Sequence, residues 1–284
     1  MTERRLPAHI EAALNGNVAD SAGRPWKGRD LSGGGNLLHA FDKDDGAVPA
    51  TYAAALRDLV NGAVDETAVV RALATVRVFV PVVAQLGGQE AEAPTDGHHH
   101  DGDKEADMAL VAIKSPDGRS VLPVFTSTGH LERWHPEARP VAVYAARAAL
   151  AAVAENADLM VVDPGAEVTF VVRRPALWAL AQQKEWSPSY ADPDLARLVS
   201  EAVPPDGRIT RVELAPGSGV SSRTADGRVV RGGGAGPELR LTLALEAGLS
   251  QEDVRSTTAA FQSRLQQLQE FVERVDSLEI RLTR

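Results

Sequence analysis

Residues 108–125, MALVAIKSPDGRSVLPVF, decide the fold class, because two apolar runs rich in β-branched residues flank a tight turn. The turn, SPDG at 115–118, has its proline and glycine where a type I turn favours them. The run at 108–113 and the run at 121–125 are each long enough for one strand. The stretch therefore predicts a β-hairpin.

Helices and strands alternate on both sides of this hairpin. Before it, apolar residues at helical spacing predict two helices, the first ended by Asn61 and Gly62 and the second capped by Asp65. A strand of alternating valines follows at 76–82. After it, the pattern predicts a helix capped by Ser127, strands at 141–143, 159–162 and 168–172, and helices at 147–156 and 174–182. Short strands between helices are typical of the α/β (α+β) class. The sequence predicts an N-terminal α/β domain with a mixed sheet over residues 1–183.

A proline-rich segment marks the end of this domain. Residues 184–207 contain four prolines and a short helix capped by Asp192, so we interpret them as a linker. Residues 208–284 then predict a smaller β-β-α-β module, which resembles half of a ferredoxin-like fold. Its clearest strand is 239–245, where leucines alternate, and its last strand is 278–282. A strand–helix–strand order of this kind implies a right-handed crossover.

The long helix of this module, capped by Ser250, has two interpretations. Its apolar residues from Val254 to Val275 recur at heptad-like spacing, which is compatible with a coiled-coil homodimer. They could equally pack on the sheet of their own module. We favour the second interpretation because the flanking strands need a cover.

Charge and cysteine content limit the function classes. The net charge of −9 disfavours nucleic acid and anionic membranes as partners, since both repel an acidic chain. With no cysteine among 284 residues, disulfides, thiolate nucleophiles and cysteine-based zinc sites are excluded. The first fourteen residues lack the apolar run of a secretory signal, and no stretch is long and apolar enough to span a bilayer. We therefore predict a cytoplasmic protein.

The candidate metal ligands are three consecutive histidines, His98, His99 and His100. Imidazole and carboxylate groups bind divalent metals, and Asp96 and Asp101 flank the histidines. However, residues 87–107 form a polar tract without apolar periodicity, which predicts a mobile loop. Adjacent histidines on such a loop hold no fixed geometry, so a solvated loop is the favoured interpretation. No cofactor is predicted.

Several phrases of the sequence resemble one family closely. They are DMALVAI at 107–113, LPVFTS at 122–127, WHPEARPV at 134–141, VDPG at 162–165 and RPALWAL at 174–180, supported by WKGR at 26–29 and FDKDDG at 41–46. Together they resemble the SseB, or enhanced serine sensitivity, family in the form common in high-GC Gram-positive bacteria. The resemblance covers roughly residues 7–183, and the second module resembles the family's C-terminal domain.

The resemblance implies a mixed α/β N-terminal domain and a largely uncharacterised role, with a suggested link to a rhodanese-type sulfurtransferase. It implies no catalytic residue. We therefore predict a non-catalytic interaction or regulatory protein that modulates another enzyme through an unknown protein partner. The candidate partner surface comprises Phe125, Thr126, Ser127, Trp134 and His135. The alternative is a small-molecule-binding metabolic enzyme or hydrolase whose pocket is lined by Trp134, Trp178 and Trp186.

Overall fold

The structure, a computed structural model, describes residues 41–85 and 107–283. The chain divides into two compact units, Met1–Asp45 and Gly46–Arg284. Only residues 41–45 of the first unit are described, so the architecture below is that of the second. The three candidate metal ligands, His98, His99 and His100, lie outside the described residues, as does the predicted mobile loop except for its last residue, Asp107, which begins a strand.

The described elements are helices and mixed sheets, which confirms the α/β class. In the first part of the unit they are α1 Ala50–Val60, α2 Glu66–Leu73, β1 Arg77–Gln85, β2 Asp107–Leu110, β3 Ile113–Lys114, β4 Ser120–Val124, α3 Thr128–Trp134, β5 Arg139–Tyr144, α4 Ala145–Ala154, β6 Leu159–Val162, β7 Phe170–Arg173 and α5 Arg174–Ala181. A 3₁₀ turn, Ser189–Ala191, follows. The remaining elements are α6 Pro193–Ala202, β8 Ile209–Pro216, β9 Ser221–Arg223, β10 Val229–Gly233, β11 Leu239–Leu245, α7 Gln251–Gln267, α8 Gln269–Arg274 and β12 Leu278–Thr283.

The strands form four small sheets over the described residues. Their orders are β2-β1-β5, β3-β4-β6-β7, β10-β9 and β12-β11-β8. In the four-stranded sheet, β4 and β6 run parallel, while β3 and β7 pair antiparallel at the two edges. Hydrogen bonds between Phe79 and Phe125 connect the sheet of β1 to that of β4. The parallel pair β4–β6 is important below because its carboxyl ends carry the candidate site.

The main core lies between the four-stranded sheet and helices α1, α2, α4 and α5. Helix α2 starts at Glu66 because the side chain of Asp65 accepts a hydrogen bond of 2.9 Å from the backbone N–H of Thr67. Helix α4 buries one alanine face, and these small side chains let it pack closely against α5. In the two described ranges, no helix combines the length and apolar character needed to cross a bilayer.

The predicted hairpin forms over a shorter length than the sequence suggested. Strands β3 and β4 pair through Ile113 with Val121 and Lys114 with Ser120, around the SPDG turn. The residues before Val111 leave this hairpin, and β2 pairs instead with β1. The N–H of Val111 donates to the carbonyl of Pro81 at 3.3 Å, at the point where the chain changes sheets. One continuous apolar run therefore supplies two strands to two sheets.

The C-terminal strands β8, β11 and β12 form a separate sheet with its own core. Strand β11 is central, antiparallel to β8 and parallel to β12, and buries its alternating leucines against α7 and α8. The predicted single helix ends at Gln267, because Leu268 is extended, and α8 begins at Gln269. Phe261, Leu265 and Val275 pack on the sheet of their own module, as the favoured interpretation predicted. The ferredoxin-like comparison stays a prediction.

The hairpin of β9 and β10 packs against elements of the four-stranded sheet's core. Val230 is buried in that core, and the N–H of Gly233 donates to Glu66 Oε2 at 3.0 Å. Gly233 has a φ of +67°, and a Cβ there would lie 2.5 Å from Phe170. Only glycine meets both conditions without strain. Residues far apart in sequence are thus packed in one core.

A buried arginine connects the same regions. Arg173 is only 2% exposed, and its guanidinium donates to the carbonyl oxygens of Gly219, Gly234 and Gly236 at 2.9, 2.6 and 3.1 Å. Peptide dipoles therefore stabilise a positive charge that has been removed from water.

Candidate functional site

The candidate site lies at the carboxyl ends of the parallel strands β4 and β6. Val124 and Val162 are register partners at these ends, and the chain continues into Phe125 on one side and Asp163 on the other. Parallel strands commonly present ligand-binding groups at their carboxyl ends. The polar side chains that follow the two strands are therefore brought to one place by the sheet itself.

Asp163 is the central side chain of this site. It is 2% exposed and has a φ of +51°, a left-handed conformation that aspartate tolerates better than most residues. Its Oδ1 accepts from the backbone N–H of Thr126 at 2.7 Å, and its Oδ2 accepts from the Thr126 hydroxyl at 2.5 Å. These bonds attach the end of β6 to the segment after β4.

His130 lies next to the same carboxylate. The Ser127 hydroxyl caps helix α3 by accepting from the backbone N–H of His130 at 3.1 Å, which fixes the position of this residue in the first turn. The imidazole Nδ1 is 3.0 Å from Asp163 Oδ1. The geometry of this contact is not that of a hydrogen bond, so the two groups lie side by side without one.

Tyr52, on helix α1, lies near the same carboxylate. It is fully buried, and its hydroxyl has no hydrogen-bond partner among the residues that the structure describes. Burial, and next the charge of Asp163, raise the pKa of Tyr52 well above 10.0. The phenol therefore stays protonated and can donate a hydrogen bond.

Two concavities adjoin at His130. The first, which we call the Trp134 notch, has a volume of about 210 Å³ and is lined by His130, Arg133, Trp134, Pro164, Gly165 and Ala166. The second, the Tyr52 cavity, has a volume of about 340 Å³, and its walls include Tyr52, Leu56, Arg57, His130, Asp163 and Arg228. The imidazole thus contributes to both.

The five residues of the predicted partner surface lie close together but not all at the surface. The rings of Phe125 and Trp134 are 5.2 Å apart, and those of Trp134 and His135 are 5.8 Å apart. Phe125, Thr126 and Ser127 are buried, because they follow a central strand and enter helix α3. Only Trp134 and His135 are half-buried and can contact a partner.

The three tryptophans of the alternative prediction do not converge. Trp134 lines the notch, whereas Trp186 lines a separate cavity of about 380 Å³ with Arg71 and Leu180. Trp178 packs under the guanidinium of Arg174, 5.4 Å from the ring centroid. Within the described ranges, no group of three or more histidine and acidic side chains could hold a metal ion.

The residues that sequence reasoning missed are Tyr52 and Asp163. Asp163 belongs to a DPG turn, which signals only a change of chain direction. Tyr52 occupies an apolar helix position, where a tyrosine usually indicates core packing. The position of Asp163 depends on the pairing of β4 with β6, and that of Tyr52 on the packing of helix α1 in the main core, and the sequence specifies neither.

The fold and the site together define an α/β protein with a cluster of polar side chains at the carboxyl ends of two parallel strands. Comparison with known families shows that residues 53–179 match the SseB protein N-terminal domain. This match supports the resemblance to the SseB family and includes His130 and Asp163, but neither Tyr52 nor the β9–β10 hairpin. Assignment of the C-terminal module to that family stays a prediction. No curated protein and no solved structure matched the chain.

Proposed function

We propose that the protein is a non-catalytic interaction or regulatory protein, and that a partner protein binds it at the Trp134 notch. The observation that carries this proposal is the order of the contacts at Asp163, in which the carboxylate lies between the Thr126 hydroxyl and the His130 imidazole.

This order does not suit nucleophilic catalysis. A hydroxyl nucleophile needs a base beside it, and the carboxylate then orients that base from behind. Here the Thr126 hydroxyl donates to the carboxylate itself, at 2.5 Å. The chain also has no cysteine that could act as a nucleophile or carry a persulfide. Asp163 therefore fixes the shape of the site, and the hydrolase alternative gains no support from this geometry.

The surface of the notch suits a protein partner. Trp134 is half-buried, and its ring packs against that of Phe125 at an interplanar angle of 43°, so it offers a rigid aromatic face at a small entropic cost. The Arg133 Nε–H donates to the carbonyl of Gly129 at 3.0 Å, which holds the guanidinium in place on the helix. The Arg133 guanidinium places a positive charge at the notch on a chain of net charge −9. A partner with an acidic side chain would complement it.

The role in this proposal is modulation of another enzyme by binding. Nucleic acid and anionic membranes are poor partners for the chain as a whole, because its net charge repels both. Any sulfur-transfer chemistry would belong to the partner, since this chain has no thiol.

The test is comparative capture from a native lysate with the full chain immobilised. The variants are Trp134→Ala and Arg133→Glu, and the matched control is Leu150→Ala, at a helix position that is 56% exposed. We expect one protein to be enriched by the wild type and the control and lost with both notch variants. When that protein is purified, Arg133→Glu should raise the dissociation constant of the complex by about tenfold or more. Equal capture by all four proteins would refute the proposal.

A further inference from the structure

We propose that the cavity beside Trp186 binds a small organic carboxylate with an apolar body. This cavity, which we call the Trp186 cavity, has a volume of about 380 Å³, and its lining includes Arg71, Leu180, Lys184 and Trp186. It shares no lining residue with the Trp134 notch. The site therefore goes beyond the proposed partner surface and can be tested separately.

The first argument is that the fold builds this cavity from two helices and the turn that follows one of them. Val70 and Ala74, one helical turn apart near the end of α2, line one side, and Leu180 of α5 lines the other. Helix α5 ends because Gln183 has a φ of +54°, the left-handed conformation that commonly terminates a helix. Residues 184–186 then continue along the cavity. Its volume is within the range of small-molecule sites.

The second argument is the apolar surface that the cavity offers. Val70 and Leu180 are buried residues of the main core, so the core closes the cavity from below. Trp186 is half-buried and packs against the same core. Its indole nitrogen is buried, so the part of the ring that borders the cavity is carbon. A ligand with an apolar body would displace water from these surfaces, which is favourable.

The third argument is the charge of the cavity. Arg71 and Lys184 are exposed residues of its lining, and within the described part of the chain neither forms an ion pair. Glu185 is the one acidic residue among the described residues that line it. Two positive charges and one negative charge leave a net charge of one positive unit, on a chain whose total is −9. A singly charged anion complements this lining.

The position of the two cations distinguishes them from ordinary surface residues. A single solvated arginine or lysine attracts anions weakly, because water screens its charge. Arg71 and Lys184 instead border a concave apolar surface, and walls of low dielectric constant focus the field of such charges into the cavity. A carboxylate can accept charge-assisted hydrogen bonds from both groups. The apolar body and the carboxylate head are therefore recognised by different parts of the same cavity.

The experiment measures binding of four probes to the full-length chain by ligand-observed NMR titration at neutral pH. The probes are phenylpropanoate, its amide, phenylpropylamine and acetate. Arg71→Gln and Lys184→Gln each remove one cation. The matched control is Arg147→Gln, at an exposed position of α4 that does not line the cavity. Arg71→Glu reverses one charge, so the lining then carries one positive and two negative groups.

We expect saturable binding of phenylpropanoate by the wild type. The amide, which lacks the charge, and acetate, which lacks the apolar body, should each bind at least about tenfold more weakly. Arg71→Gln and Lys184→Gln should each weaken phenylpropanoate binding about fivefold, and Arg147→Gln should bind it like the wild type. Arg71→Glu should bind phenylpropylamine more tightly than phenylpropanoate, a reversal that a loss of folding cannot produce.

Three results would each overturn the proposal. The first is the absence of saturable phenylpropanoate binding by the wild type, and the second is equal binding of phenylpropanoate and its amide. The third is a preference of Arg71→Glu for phenylpropanoate over phenylpropylamine. Trp134→Ala should bind phenylpropanoate like the wild type, so these outcomes do not depend on the partner surface.

Discussion

Replacing Tyr52 by phenylalanine should make the protein more stable, which is unusual for a change in a fully buried residue. The hydroxyl has no hydrogen-bond partner among the described residues, so folding removes it from water without compensation. Such a group costs about 1–3 kcal/mol. The oxygen also makes dispersion contacts that phenylalanine lacks, and these offset part of the gain. We expect the free energy of unfolding at neutral pH to rise by about 1 kcal/mol.

The pH dependence of the same variant gives a second, independent measure. Burial and the neighbouring Asp163 raise the pKa of Tyr52 well above 10.0, whereas in the unfolded chain it is near that value. Above about pH 10 the unfolded state therefore loses a proton that the folded state keeps. Stability attributable to Tyr52 is full below this pH and falls by about 1.4 kcal/mol per pH unit above it. Tyr52→Phe abolishes this contribution.

Urea unfolding followed by tryptophan fluorescence, at pH 7.5 and at pH 11, measures both effects. Tyr190 also has a raised pKa, because of burial and next the charge of Glu66, and it is present in both proteins. Its contribution cancels when the wild type is compared with Tyr52→Phe. A variant that is less stable than the wild type by about 1 kcal/mol at pH 7.5 would show that the hydroxyl is satisfied. An unchanged stability difference at pH 11 would show that Tyr52 titrates normally.

Five further substitutions, at four positions, test how the fold is held together. Gly233→Ala places a Cβ 2.5 Å from Phe170 at a φ of +67°, so it should cost about 3 kcal/mol in chemical denaturation, and a smaller loss would mean that the hairpin shifts freely. Arg173→Met leaves three carbonyl oxygens without their donor and should cost about 3 kcal/mol; a melting temperature equal to that of the wild type contradicts this. Asp163→Asn should lower the free energy of unfolding by about 1 kcal/mol and Asp163→Ala by about 3 kcal/mol. The loss is smaller for asparagine because it keeps an acceptor and tolerates the left-handed backbone. Equal losses of stability for the two variants in calorimetry would contradict this. Ser250→Ala removes a capping box and should lower the free energy of unfolding by about 1 kcal/mol. Slower hydrogen exchange of the amides in the first turn of α7 than in the wild type would contradict this.

Much of the fold follows from local chemistry in the sequence. The caps at Asp65, Ser127 and Ser250 and the alternation of strand β11 depend on neighbours in the chain, and each lies where the pattern predicts. The division of residues 108–113 between two sheets does not follow from local chemistry, because an apolar run does not specify which strand it will pair with. The break at Leu268 escapes the pattern too, since the apolar spacing continues through it.

The site was predictable only in part. Sequence reasoning found the segment from Phe125 to His135 through its composition, and the structure places it beside the candidate site. It did not find Asp163 or Tyr52, because a turn aspartate and a core tyrosine are ordinary in their local contexts. What distinguishes them is a buried hydroxyl without a described partner and a buried carboxylate, brought near each other when helix α1 packs into the main core, and these are properties of tertiary structure.

The buried arginine of β7 has a consequence for the order of events during synthesis. The carbonyls that receive the Arg173 guanidinium belong to residues that follow it by 46 to 63 positions in the chain. The ribosome therefore releases the positive charge well before it releases the groups that neutralise it. Until then, burying Arg173 would leave a desolvated cation without acceptors, which is prohibitively costly. The Arg173 guanidinium therefore stays hydrated at the end of β7 until that segment emerges, and the packing around it is completed only after Gly236 has been synthesised.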